Sequence, residues 1–524
     1  MDLASALRWT TERYPHRRAV GGPAPLTYAE WDTRTERYAH ALHALGAHEG
    51  SRAIFMLQGG EPLATLHLAA QKARVTSLPL STRFGTEELA YCIADCAPAL
   101  IAVDEHTHDL VRRAIALVEE PPPVVWAGHP DLGPTAMPSV ARTAAGAPGT
   151  VVPAAPSGDD VSVMLYTSGT TGKPKGVPRT HSAEHHAALA HLVQTGHAPG
   201  EATLGVMPLF HTMGLRSLLA SVLSAGVWVP QPRFDAEEAL DLIREEQISA
   251  LYLVPTIYWS LLQTGRLSEA GGSLRTIAYA GAAMTPTLAQ RLNDAIHPER
   301  FVNHYGSTEI YTFTIGPDNI TKPGCAGRAG IFSRIRLIDP DPDATPDQVV
   351  ADGERGQVIA SLGSPEAFAG YWNRPDADAK AIRDGWYYTN DLAVADEDGD
   401  LWVSGRVDDM INSGGENLYP EEIEHALAAC PDLDEVIVAG SPHERWGHAV
   451  TAFVVGRPGD TPEETLAKVA AYARDEAGLP SLKRPKRYVA VDHIPKSAVG
   501  KILRRRLTAG EFEVLADSED GATS

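Results

Sequence analysis

A chain of 524 residues is longer than a single hydrophobic core ordinarily organises, so two or three folded units are expected. Its 67 acidic against 45 basic residues give a formal net charge of −22, a field that opposes nucleic acid and anionic membrane surfaces and excludes a generic binder of either. A hydrophobic share of 44% and a charged share of 21% are those of a soluble globular protein.

The four cysteines fit neither a disulfide framework nor a zinc ribbon, which points to a reducing cytoplasm. Cys92 and Cys96, one helical turn apart in an apolar segment, are expected in the core. The N-terminus soon becomes charged (Glu12, Arg13, Arg17, Arg18), so no signal peptide is expected, and no uncharged apolar run reaches the ~18 residues of a membrane span.

Thr27 to Glu30 has the spacing of a capping box, and Trp31, Tyr38, Leu42 and Leu45 then share a helical stripe that ends at Gly46. An α/β alternation follows: strand Ala53 to Leu57, helix Glu61 to Ala73, strand Val75 to Leu80, helix Thr86 to Ala94, strand Ala99 to Val103. A mostly parallel sheet is implied. Residues 131 to 158, rich in Pro, Ala, Gly and Thr, read as a surface connection. Helices and strands resume at Glu184 and run to about residue 340, without an internal repeat.

That connection leads into the apolar run Val161 to Leu165 and then Tyr166 to Val177, built almost entirely of hydroxyls, glycines and lysines. Its backbone can curl around an anion while Thr167, Ser168, Gly169, Thr170, Thr171, Gly172, Lys173 and Lys175 supply amides, hydroxyls and charge. This phosphate cradle is not the Walker loop. Gly169 and Gly172 are too close together, and Pro174 stands where a Mg-binding hydroxyl is needed.

Two metal look-alikes are set aside. His181 to His185 has the H-x-x-E-H spacing of inverted zinc peptidases but no evident further glutamate to complete it, so a plain helix start is expected. Asp396 to Asp400 resembles a calcium loop, yet its glycine stands fourth rather than sixth and position twelve is Val407; a hairpin turn is the better reading.

Further motifs follow in order: Pro208 to Gly214 around His211, Tyr279 to Met284, Asn303 to Glu309, Trp386 to Asp391, Gly405 to Met410, Ile411 to Asn417, Arg445 to Gly447, Lys483 to Tyr488 and Pro495 to Lys501. With the cradle, this set resembles the adenylate-forming superfamily of acyl- and aryl-CoA ligases, peptide-synthetase adenylation domains and luciferase, nearest to the 4-chlorobenzoate and benzoate CoA ligases. The resemblance covers nearly the whole chain. It implies an α/β fold with a large multi-sheet N-terminal domain over residues 1–405, a hinge at 406–408, and a small mobile α+β C-terminal lid over 409–524.

It also implies roles. Gly281, Ala282 and Ala283 would let adenine lie against backbone, Tyr305 would stack on adenine with Gly306 also in the ATP site, Thr308 would hold the α-phosphate and Glu309 would meet Mg²⁺. Asp391 and Arg406 would bind ribose, and Asp408 would be the pivot. Gly414 and Gly415 would line a pantetheine tunnel, Trp446 would stack on the adenine of CoA, and Arg484 and Lys486 would meet its phosphates. Lys501 would reach the reacting carboxylate, with His211 beside it.

The implied acyl pocket comprises Leu189, His211, Thr212, Tyr252, Ala280, His304, Gly306, Tyr311 and Thr312. It is short, aromatic and polar, which suits a ring-sized acid bearing hydroxyl, amino or ring nitrogen better than a fatty acid. The expected reaction converts a small carboxylic acid and ATP to acyl-AMP, then to acyl-CoA; loading of a carrier-protein thiol and capture by an amine are the alternatives. No nucleic-acid or membrane partner is expected. Monomer and homodimer both stand open. Acidic residues 515 to 524 read as a frayed tail.

Overall fold

The computed structural model describes residues 2–147, 155–167, 173–413, 416–444, 446–496 and 502–519. They divide into two compact units, Met1–Ile335 with Ala360–Tyr387, and Arg336–Ile359 with Tyr388–Ser524.

The first unit is built on two sheets covered by helices. One has six strands in the order Val124–Trp126, Leu100–Val103, Arg52–Met56, Thr76–Pro79, Val161–Thr167, Lys175–Thr180, parallel except for the last. Its inner strands are continuous apolar runs because helices bury both faces. The strands and helices expected between residues 53 and 103 are all present, with ends shifted by a residue or two. The capping box is formed: the Thr27 N–H donates to the Glu30 carboxylate at 2.8 Å and the Glu30 N–H to the Thr27 hydroxyl at 3.3 Å.

Helix Glu61–Ala73 is buried along most of its length, Lys72 included. That lysine is neutralised by Asp32 and Glu36 at 2.6 and 3.0 Å. All four cysteines are free and buried.

The second sheet has nine strands, and its centre is the parallel set Ala202–Gly205, Ala250–Leu253, Thr276–Ala280, Arg300–Tyr305. Paired residues of neighbouring parallel strands point to one face, so the register Tyr252↔Ala278 and Ala280↔His304 sets Tyr252, Ala278, Ala280 and His304 on the same side.

In the second unit, Leu433–His443, Gly447–Gly456, Arg487–Val491 and Val514–Glu519 form most of a sheet flanked by helices Pro420–Leu427 and Pro462–Asp475. Two expectations are corrected. The stretch 131–158 holds a short helix, Val140–Ala145, capped by the Ser139 hydroxyl, too brief for its period to show in sequence. The acidic tail is a strand as far as Glu519, because Val514–Glu519 pairs with Arg487–Val491 and Arg487 grips Asp517 with two bonds of 3.0 and 2.6 Å.

Both metal look-alikes fall at the elements expected, a helix start and a hairpin turn, and in the turn the carboxylates of Asp396, Asp398 and Asp400 lie within 4.8 Å of one another. The His181 ring accepts the Leu3 N–H at 3.2 Å and Glu184 pairs with Arg179, while Asp396 Oδ1 accepts the N–H groups of Asp398 and Asp400 in the turn joining Trp386–Ala395 to Leu401–Arg406. Among the described residues no helix is long and apolar enough to cross a membrane.

Candidate active site

In the first unit the expected site residues gather at the carboxyl ends of the parallel strands, where open α/β sheets bind ligands. Thr167 ends its strand opposite Lys175. The lysine ammonium lies 4.1 Å from the centre of the Tyr371 ring, and that of Lys173 lies 5.3 Å from the ring of Tyr91. Ser168, Gly169, Thr170, Thr171 and Gly172 lie outside the described residues, as do Gly414, Gly415 and Lys501.

After Ala280 the chain turns through Gly281, whose φ of +85° few other residues adopt, and Gly281, Ala282 and Ala283 are exposed. Tyr305 ends the next strand, edge-on to Phe313 at 5.2 Å. At Gly306 a Cβ would stand 2.1 Å from the Tyr311 carbonyl oxygen, so only glycine lets the chain pass.

Thr308 and Glu309 are held from beneath. The fully buried Arg179 donates through Nη1 to the carbonyls of Thr308 and Glu309, both at 3.2 Å, and of Glu366 at 2.9 Å, and pairs through Nε with Glu184 at 2.5 Å. The Glu309 carboxylate is buried and accepts the Tyr371 hydroxyl at 2.6 Å. Burial and that negative charge push the Tyr371 phenol well above its ordinary value, so it stays a donor. A buried carboxylate held at one oxygen is a donor set that suits a hard divalent ion completing its shell with phosphate oxygens.

On the acid side, His211 caps helix Thr212–Leu223, its ring accepting the Met213 N–H at 3.4 Å, and Thr212 is the first helical residue. Tyr311 lies under the Arg179 guanidinium at 3.7 Å, and the Thr312 hydroxyl accepts from Arg216 at 3.2 Å. The Tyr252 hydroxyl is 2.7 Å from His197 Nδ1, which corrects the expectation that it is open to the acid. Leu189 is half-buried and stands roughly 200° round its helix from His191. It is His191 whose ring lies 4.1 Å from Tyr252 and 5.3 Å from His304, so Leu189 does not share that wall.

In the second unit Arg406 donates to Asp391 at 2.6 Å and lies 3.8 Å from Asp408, which opens no regular strand but sits in the 3₁₀ turn Val407–Asp409. Trp446 stacks on His443 at 4.4 Å. Arg484 and Lys486 reach back to the carbonyls of Leu479 and Ser481 at 2.9 and 2.8 Å.

Residues 7–372 match the AMP-binding enzyme family, and residues 422–501 match the AMP-binding enzyme C-terminal domain. The chain belongs to the AMP-binding enzyme family. It is similar to feruloyl-CoA synthase of Amycolatopsis sp, 34% identical over 499 residues that cover 94% of this chain and 95% of that one. It is also similar to indoleacetate–CoA ligase of Aromatoleum aromaticum, 33% identical over 507 residues covering 94% and 93%. Among solved structures, ATP-bound MatB from Rhodopseudomonas palustris superposes with a TM-score of 0.86 at 28% identity, covering 97% of this chain and 99% of that one. The adenylate-forming fold near the aryl-CoA ligases, inferred from the motif set, is thus the observed one.

The contacts of Arg179, Tyr371 and His191 with the expected site residues of this AMP-binding enzyme were not legible in the sequence. Arg179 carried one usable signal, a cation in the inner part of the strand that leaves the phosphate cradle, five residues before a glutamate in a helix first turn.

Proposed function

We propose that this chain joins a ring-sized aryl carboxylate, bearing a hydroxyl, amino group or ring nitrogen, to coenzyme A. The chain is an ATP-dependent, AMP-forming acid–CoA ligase that uses ATP, Mg²⁺ and CoA. A carboxylate resists nucleophiles because its leaving group would be oxide. Attack of a carboxylate oxygen on the α-phosphorus of ATP expels pyrophosphate and gives acyl-AMP; attack of the CoA sulfur on the acyl carbon then expels AMP.

The residues divide this work. Backbone and hydroxyls of the cradle, with Lys173 and Lys175, hold the phosphates; Thr308 donates to the α-phosphate; Lys501 offsets charge that grows on the transferring oxygens. Glu309, oriented by Tyr371, would hold Mg²⁺, which when bound neutralises phosphate charge. Asp391 and Arg406 serve the ribose, while Trp446, Arg484, Lys486, Gly414 and Gly415 serve CoA. The functional boundary is the hinge 406–408, with Asp408 as pivot between residues 1–405 and 409–524. Four free buried cysteines support a cytoplasmic home.

The observation that carries the aryl reading is the shared face of Tyr252, Ala280 and His304, with the buried His191 ring against Tyr252 and His304. Polar rings stand beside a small residue on this face, which suits the edge of a substituted ring better than a long alkyl chain. The named acids of two relatives, ferulate with its phenol and indoleacetate with its ring N–H, support the class. Comparing kcat/KM for benzoate, hydroxy- and aminobenzoates and octanoate tests it. The hydroxylated and aminated rings are expected to lead; a preference for octanoate overturns the reading.

A further inference from the structure

We propose that His191, paired with His304, reads a neutral hydroxyl or ring N–H at the far end of the acid and so sets the specificity of the pocket; this rests on the aryl-acid reading.

His191 projects from helix His181–Thr195, two turns after Glu184 on the helix's buried side. Its ring is fully buried, edge-on to Tyr252 at 4.1 Å and 5.3 Å from the His304 ring, which is 1% exposed. None of the four ring nitrogens of the two imidazoles has a hydrogen-bond partner among the described residues. Buried polar atoms without partners are costly, and a position that served packing alone would be filled at less cost by leucine or phenylalanine. Two such rings in contact, on the wall shared with Ala280, mark a place where polar atoms are kept for a ligand.

Burial and the positive charge of Arg216 hold both imidazoles well below the ordinary histidine range, so each is neutral and offers one donor and one acceptor. The third polar ring nearby is already engaged, since the Tyr252 hydroxyl meets His197 at 2.7 Å. Arg216, itself fully buried, disfavours a cationic substituent at this end. A neutral group that both donates and accepts satisfies most of what the pair offers, a phenol before all, and a ring N–H meets its acceptor nitrogens.

The test measures kcat/KM for 3- and 4-hydroxybenzoate against benzoate, and 4-hydroxycinnamate against cinnamate, in the full-length protein and its His191→Leu and His191→Asn variants. The wild type should favour the hydroxylated member of a pair by about tenfold or more. His191→Leu should bring that ratio close to one, the hydroxylated member losing far more than the unsubstituted acid, and His191→Asn should restore part of it. His191→Phe, which keeps a ring against Tyr252, reads the same ratio should the leucine variant not fold. Equal losses on both members of each pair, leaving the ratio unchanged, would reduce His191 to a structural role and overturn the proposal. A wild type that takes aryl acids without favouring the hydroxyl overturns it too, while leaving the aryl reading standing. A wild type that turns over octanoate and no aryl acid overturns both.

Discussion

Replacing Arg179 by methionine tests whether the Thr308–Glu309 turn depends on a buried cation. Methionine keeps much of the side chain's length and removes its charge. Glu184 then lacks its counter-ion, and the carbonyls of Thr308, Glu309 and Glu366 lack the Nη1 donor they share. Removing one partner of a buried pair costs ~3–5 kcal/mol, chiefly because the other charge is left uncompensated. The folded-to-unfolded ratio should therefore fall by ~10²- to ~4 × 10³-fold, at ~1.4 kcal/mol for each tenfold.

Catalysis should fall as well, because the two residues proposed to meet the α-phosphate and Mg²⁺ lose their anchor; a loss of ~10²-fold in pyrophosphate release, the size of one misplaced donor, is expected. Urea unfolding of the wild type, Arg179→Met, Glu184→Met and the double variant reads the stability side. The double variant should lose less than the sum of the singles, since it carries no orphaned charge. A single-variant loss below ~1 kcal/mol, strict additivity, or undiminished adenylation would refute the anchoring role.

Tyr371→Phe removes the hydroxyl that holds the Glu309 carboxylate, a bond to a charged group worth ~1.5–3 kcal/mol, and should raise the Mg²⁺ concentration needed for half-maximal activity roughly tenfold or more, with an unchanged requirement arguing against orientation by Tyr371. Asp408→Pro fixes φ at the proposed pivot and should leave one half-reaction while abolishing the other; normal overall turnover by the folded variant would remove the hinge from that position. Burial raises Glu421 from 4.5 to about 7, so the fold favours its protonated form; the stability this gives is present below about pH 4.5 and is lost as pH climbs through 7. Glu421→Gln should accordingly gain on the wild type by ~2 kcal/mol between pH 5 and 8 in thermal melts, and a constant difference would refute it. In the other direction, burial lowers His67 to about 3 and His181 and His185 to about 4, so the stability tied to their neutral forms is present above pH 6.5 and lost as pH falls from there towards 4, a trend that should weaken in the His67→Asn variant.

The order of strands and helices in the first unit was readable because its inner strands are apolar runs closed by turn signals and some helices carry a side-chain cap, as at Thr27 and Glu30. The register that sets Tyr252, Ala280 and His304 on one face follows from period two once the strands are known to be neighbours, a fact no local pattern contains. Arg179 and Glu309, and Glu309 and Tyr371, lie far apart in the chain, and a pairing made only in three dimensions leaves no spacing to read. His191 was hidden by an apolar helical face, where a lone histidine reads as core. The strand Val514–Glu519 was masked by acidic composition, its partner supplying the cation through Arg487.

The central claim is that an acid is first adenylated and then passed to CoA. Exchange of labelled pyrophosphate into ATP, measured over the panel of aryl acids with Mg²⁺ and without CoA, followed by addition of CoA, tests it most directly. Exchange should depend on the acid and proceed without CoA, and CoA should then yield thioester and AMP in equal amounts. Release of ADP and phosphate, or exchange that no acid supports, would contradict the account.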